Sequence, residues 1–149
     1  MKVEIGCVIK RPVEEVFDYL ADPAKTQEWK PSVLESGAEP QGPIRVGSKI
    51  HTVMRILGRR IESTTEVTEL VPRKKLVQKA NSPFPVQITC WTEPTASGTR
   101  VTAEAIAEPG GFFRVAEPVL GRILKRQGQS ELNTMKELLE ARDRAKVGN

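Results

Sequence analysis

The sequence predicts an α+β fold: a seven-stranded antiparallel sheet, two short helices after its first strand, and a long C-terminal helix. Three observations predict it. Apolar and polar residues alternate over residues 2–10 and again, between turn signals, from residue 32 to 107. The stretch 11–29 switches to helical spacing, and residues from about 112 to 144 carry a helical pattern interrupted only by Pro118. An antiparallel sheet must bury one face, and the C-terminal helix is the only element large enough to cover it.

In the first strand Val3, Ile5, Cys7 and Ile9 alternate with Lys2, Glu4, Gly6 and Val8. Pro12 ends it and supplies the fixed φ favoured at the first position of a helix. Val13, Val16, Phe17 and Leu20 then fall at i, i+3, i+4 and i+7, one apolar stripe. Arg11 stands where a Ser, Thr, Asp or Asn cap is preferred. Asp22-Pro23 caps and opens a second short helix over about 23–28, which Trp29 and Pro31 terminate before a strand in "SVLESGAEP". From Gly47 to Ala107 five strands follow, separated by turn signals at 57–59, 71–73, 81–83 and 96–98. Pro118 should kink the final helix or split off a short first piece.

With 149 residues the chain has the length of one domain, 1–149, able to bury one sizeable core. Its 38% hydrophobic and 28% charged residues exclude a disordered chain. No apolar run reaches the ~18 residues that span a bilayer, and no signal-peptide pattern opens the chain, so the expectation is a cytoplasmic protein without stable membrane insertion. Cys7 and Cys90 share no motif spacing and are expected as reduced thiols. The net charge is +4, and the basic clusters at 59–60, 73–75 and 122–126 are interspersed with acids. With no recognition helix, zinc set or row of stacking aromatics beside them, they read as solvated surface and not as a nucleic-acid site.

The element order, with "PVEEVFDYLADPAKTQEW" after the first strand and "LNTMKELLEAR" in the last helix, resembles the START-like (SRPBCC) superfamily. Within it the chain is most similar to the polyketide cyclase/dehydrase and lipid transport group; "EVTEL" at 66–70 and "GTRVT" at 98–102 extend the likeness. The resemblance implies a helix-grip fold: a strongly curved sheet wrapped around the C-terminal helix, with a cavity between them. Members include lipid carriers, hormone receptors and aromatase/cyclases, so the family leaves the chemistry open.

The candidate chemistry is sparse. Glu14 and Asp18 lie one turn apart but oppose the apolar stripe and should face water. His51, the only histidine, falls with Lys49, Val53 and Arg55 on the outward phase of its strand; His51 and Arg55 are the candidates for catalysis if that phase is reversed. No metal-ligand set and no phosphate-binding loop occurs, and no cofactor is expected. The inward phase is more informative: Thr52, Ser63, Thr65, Cys90, Thr92, Ala103 and Ala105 are small, among larger Met54, Ile56, Val67, Val86, Ile88 and Val101. A concave sheet lined this way cannot fill its interior. An empty void of about 300 Å³ would cost roughly 7 kcal/mol, comparable to a domain's whole stability, so the space should be small, hydrated or occupied.

Phe17 and Trp29 are expected as walls at the short-helix end. Gln127, Ser130 or Thr134 could present polar groups from the helix, where Gly128 leaves room, and Leu132, Met135, Leu138 and Leu139 supply its apolar face. The reading is a protein, monomer or homodimer, that binds a small, largely apolar molecule through Phe17, Trp29, Thr52, Met54, Ser63, Thr65, Ile88, Cys90, Ala103, Ala105, Gln127, Ser130 and Met135. A carrier is favoured because no acid, base or nucleophile converges on the inward set. The alternatives are a cyclase/dehydratase acting on a polyketide-like substrate and a protein-interaction module using the basic surface and Trp91.

Overall fold

The computed structural model of the chain describes residues 1–82 and 84–147. Seven strands form one antiparallel sheet: β1 (Lys2–Ile9), β2 (Val33–Glu39), β3 (Lys49–Ile56), β4 (Arg59–Val71), β5 (Lys75–Ala80), β6 (Val86–Pro94) and β7 (Thr99–Ala107). Their order is β1-β7-β6-β5-β4-β3-β2, so β2 to β7 are a meander and β1 closes on the last strand. The helices are α1 (Val13–Leu20), α2 (Thr26–Trp29), α3 (Phe112–Val115) and α4 (Glu117–Val147). Register shifts between Val33 and Glu35 and between Val67 and Glu69 bend β2 and β4. The sheet curves around α4 as the helix-grip arrangement requires.

Local sequence explains most boundaries. Pro12 is the N-cap of α1 and not its first helical residue. No side chain caps α1; instead Arg11 reaches along the first turn to Glu15 Oε2 at 2.6 Å. The Asp22 carboxylate accepts the Ala24 N–H at 3.0 Å, but the turn it caps, Pro23–Lys25, is 3₁₀ and runs into α2. Trp29 therefore ends that helix from within. Leu57 and Gly58 both take left-handed φ, 52° and 75°, which gives the β3–β4 hairpin the twist of its strands. Glycine adopts this freely, whereas Leu57 is held by packing beside Ile61, Phe84 and Phe113. The chain breaks at Ala116 between α3 and α4, and Pro118 sits in the first turn of α4, where a missing N–H costs nothing.

Helix α4 lies along β1. The Gln129 amide accepts the Gly6 N–H at 3.2 Å and donates to the Gly6 carbonyl at 2.9 Å. A Cβ at Gly128 would come within 3.1 Å of Ile5 Cδ1, so this glycine makes room for Ile5 and not for a ligand. Leu132, Met135 and Leu139 are buried with Ile9, Val16, Tyr19, Trp29 and Val101. Leu138, expected on the same face, is 38% exposed on the flank.

Two further clusters seal the ends of the sheet's concave side. Phe17 from α1 joins Ile50, Val67 and Leu76. At the opposite end Phe84 and Phe113, edge to face with centroids 5.2 Å apart, pack with Ile61 and Leu120.

Candidate ligand-binding site

Cross-strand partners share a face, so the register assigns the concave surface. One row runs Ile5, Ala103, Cys90, Leu76, and the next runs Val3, Ala105, Ile88, Gln78, Val67. On the far side Ser36, Thr52 and Ser63 form a third, with Met54 opposite Ile61 beside it.

Leu76 and Val67 are sealed by the Phe17 cluster. The centre is different: Ile5, Ile88, Cys90, Ala103 and Ala105 are only half-buried although they point at the helix side. The most numerous close backbone approaches of α4 are to β1, α2 and α3. This band of β6 and β7 therefore stays within reach of solvent, with an apolar cluster on either side of it.

The inward positions of β2–β5 beside this band include several polar residues. The Thr65 hydroxyl donates to Gln78 Oε1 at 2.8 Å, which leaves the Gln78 amide hydrogens free of that bond. Ser63 Oγ donates to the Ser82 carbonyl at 2.9 Å, and Ser36 Oγ is buried without a partner. A groove of about 700 Å³ over β2–β4 is lined by residues of both phases, Ser36, Thr52 and Ser63 together with Glu35, His51, Glu62 and Thr64, so it is not a wall of the concave face alone.

The sequence-predicted residues separate into three groups. Thr52, Met54, Ser63, Ile88, Cys90, Ala103 and Ala105 are inward and half-buried, and Gln127 is half-buried on α4. Phe17, Trp29, Thr65 and Met135 are buried, Met135 completely. Ser130 does not face the sheet: it is exposed, and with Thr134 it lines a shallow groove on α4 alongside Arg126 and Glu137. Thr134 Oγ1 donates back to the Ser130 carbonyl at 3.1 Å.

Sequence reasoning passed over Gln78, Lys30, Ser36 and Glu131. Glu131 is buried on α4, and its Oε2 accepts the Ser32 O–H at 2.7 Å and the Ser32 N–H at 3.2 Å. The Ser32 carbonyl accepts the Arg55 N–H at 2.9 Å. The segment between α2 and β2 is thus clasped between the helix and β3. Lys30 lies in it, half-buried, with its ammonium 4.7 Å from the centroid of the Trp29 ring.

The reactive side chains are poorly set for catalysis. Burial pushes the Cys90 thiol up despite the opposing charge of Lys30, and burial raises Cys7 to about 11, so both thiols are protonated at neutral pH. Burial, with the Glu28 hydrogen bond at 2.9 Å, raises Tyr19 to about 12. His51 is on the convex face, as its phase predicts, bonded through Nδ1 to Thr64 Oγ1 at 2.8 Å and through Nε2 to Glu39 Oε2 at 3.1 Å. Arg55 shares that face and is exposed.

A curved antiparallel sheet gripping a long C-terminal helix is the form of a START-like domain. The profile of the polyketide cyclase / dehydrase and lipid transport family matches residues 1–140, and the chain belongs to that family. No curated protein is a significant match to its sequence. Among solved structures it is similar to TTHA0849 from Thermus thermophilus, with a TM-score of 0.80 and 16% identity over 95% of this chain and 98% of that one. It is also similar to NE0264 from Nitrosomonas europaea, with a TM-score of 0.71 and 22% identity over 96% of each chain. The di-domain ARO/CYC StfQ of the steffimycin biosynthetic pathway matches with a TM-score of 0.77 and 18% identity, over 95% of this chain and 51% of its own. At these identities the likeness is one of fold. No helix among the described residues is long and apolar enough to cross a membrane.

Proposed function

We propose that this protein binds a small, largely apolar molecule in the space between its sheet and α4. The observation that carries the reading is the half-buried band Ile88, Cys90, Ala103 and Ala105, apolar side chains on the inward face with the ends of the sheet closed around them. Apolar surface left in contact with water in a concave site is what a hydrophobic ligand would cover. The family description, which includes lipid transport, supports the same reading.

A cyclase or dehydratase role, which that description also covers, has less support. The thiols are protonated by burial, and His51 and Arg55 point away from the concave face. A thermal-shift screen of apolar compounds against the full chain tests the binding role. Several hits should raise the melting temperature by a few degrees, and the same hits should act equally on His51→Ala and Arg55→Ala proteins. A library without a stabilising compound would sink the proposal.

A further inference from the structure

The two edges of the sheet, β1 and β2, are protected differently. On β2 the ladder slips between Val33 and Glu35, and the Gln27 amide donates to the Leu34 carbonyl at 2.6 Å. β1 runs without a slip from Lys2 to Ile9. Met1 exchanges both backbone bonds with Ala107, at 2.9 Å each, so it is the odd-numbered residues of β1 that bond to β7. The N–H and C=O groups of Lys2, Glu4, Gly6 and Val8 therefore point away from the sheet.

Side chains of α4 take over part of this edge. Gln129 meets both backbone groups of Gly6 as a neighbouring strand would, and further along Glu140 Oε2 accepts the Lys10 N–H at 3.0 Å. Pro118, Gly121, Arg122 and Lys125 share the helix face of Gln129, one to three turns earlier. Neither Pro118 nor Gly121 has a side chain that can reach the strand, and among the described residues nothing bonds the outward groups of Lys2 and Glu4. A groove of about 440 Å³ is left there, with Val3 and Pro118 as its apolar part. A bare edge of this kind is a template for another extended chain. The groove is also electropositive, since Lys2, Arg122 and Lys125 line it against the single acid Glu4. Arg122 and Lys125 are exposed and have no ion partner among the described residues. The other acids close by are engaged, Glu104 with Lys2 at 3.4 Å and Glu117 with the Met1 amine at 3.8 Å.

We propose that this groove is a docking site for an extended, acidic peptide segment of another protein, which adds to the sheet beside β1. The segment's backbone exchanges hydrogen bonds with Lys2 and Glu4, and its carboxylates face Arg122 and Lys125. Three or four residues of extended chain, about 10–13 Å, span that stretch. Gln129 ends it, because its amide already fills the place of the next rung at Gly6. In strand addition the main-chain bonds supply affinity and the side-chain contacts supply selectivity. The surface lies on the outer edge of β1 and does not use the inward band of β6 and β7.

The test titrates the isotope-labelled full chain with two synthetic peptides, acetyl-TEVEVT-amide and its lysine counterpart acetyl-TKVKVT-amide, following backbone amide shifts and hydrogen exchange by NMR. The acidic peptide should shift the Lys2 and Glu4 amides, slow their exchange, and bind about tenfold or more tighter than the lysine peptide. Slowed exchange at these two amides reports the backbone bonds without any substitution. Arg122→Glu combined with Lys125→Glu, both on the surface, should reverse the preference between the peptides. Glu4→Pro deletes an outward N–H while leaving the β7 ladder whole, and should bind the acidic peptide about fivefold more weakly than Glu4→Gln. Unmoved Lys2 and Glu4 amides at millimolar peptide, a preference that survives the charge reversal, or equal binding by Glu4→Pro and Glu4→Gln would overturn the proposal.

Discussion

The sign of one substitution separates an open cavity from a filled core. Ala103 faces inward with Ile5 on one side and Cys90 on the other, and all three are half-buried. Ala103→Leu adds three carbons. At about 0.8 kcal/mol per buried CH₂ their transfer into the space is worth roughly 2 kcal/mol. Fixing the leucine rotamer costs about 0.5–1 kcal/mol of that, so a net gain of about 1–1.5 kcal/mol is expected in the ligand-free protein. For a chain of this length that corresponds to a rise in melting temperature of about 2–5 °C. In a close-packed core the same change would force side chains off their rotamers and cost about 1–3 kcal/mol. Urea unfolding of delipidated protein gives the answer, with an unchanged m-value required for the comparison. The variant should also lose affinity for the neutral apolar dye N-phenyl-1-naphthylamine. Destabilisation by about 1 kcal/mol or more would refute the claim that space exists beneath the middle of α4.

Four other outcomes follow from particular contacts. Glu131→Ala removes the acceptor of the Ser32 N–H and O–H, and urea unfolding should show a loss of about 2 kcal/mol, with Glu131→Gln retaining part of it. At Gly98 a Cβ would lie 2.1 Å from the Ile9 carbonyl oxygen and 2.8 Å from Lys10 Cα, backbone atoms that cannot step aside; Gly98→Ala should cost about 3 kcal/mol by the same assay. Cys7 is held up to about 11 by burial against an ordinary 9.0, so the unfolded chain releases its thiol proton first. The native state then binds more protons between those values, and stability should fall as pH rises from 9 towards 11, a decline to which Cys90 and Tyr19 add and which Cys7→Ser should reduce. Iodoacetamide at pH 8 should label both cysteines slowly until urea unfolds the chain, because both thiols are held protonated; rapid labelling of the native protein would contradict that.

The strand phases were legible where the ladder is unbroken. β6 and β7 pair without a slip from Val86 opposite Ala107 to Pro94 opposite Thr99, so alternation alone put Ile88, Cys90, Ala103 and Ala105 on one face. On β3 the same rule put His51 outside. It reached less far on β2, where a register shift follows Val33 and hides the inward turn of Ser36. Gln78 escaped because a polar residue in a short strand reads as surface. It is inward through its pairing with Val67 and Ile88, a long-range fact that no local pattern carries.

The helix misled for a different reason. Ser130 was chosen for its hydroxyl, but one residue along an α-helix is a rotation of about 100°, and its neighbour Glu131 is the one that turns inward. A buried carboxylate is improbable on composition alone; it is tolerated here because Ser32 comes to it from a segment 99 positions away in the chain. The same clasp fixes the segment that carries Lys30. The regular strands were legible from alternation, whereas the irregular connection between α2 and β2 takes its backbone position from this tertiary contact, and there the sequence signal is weakest.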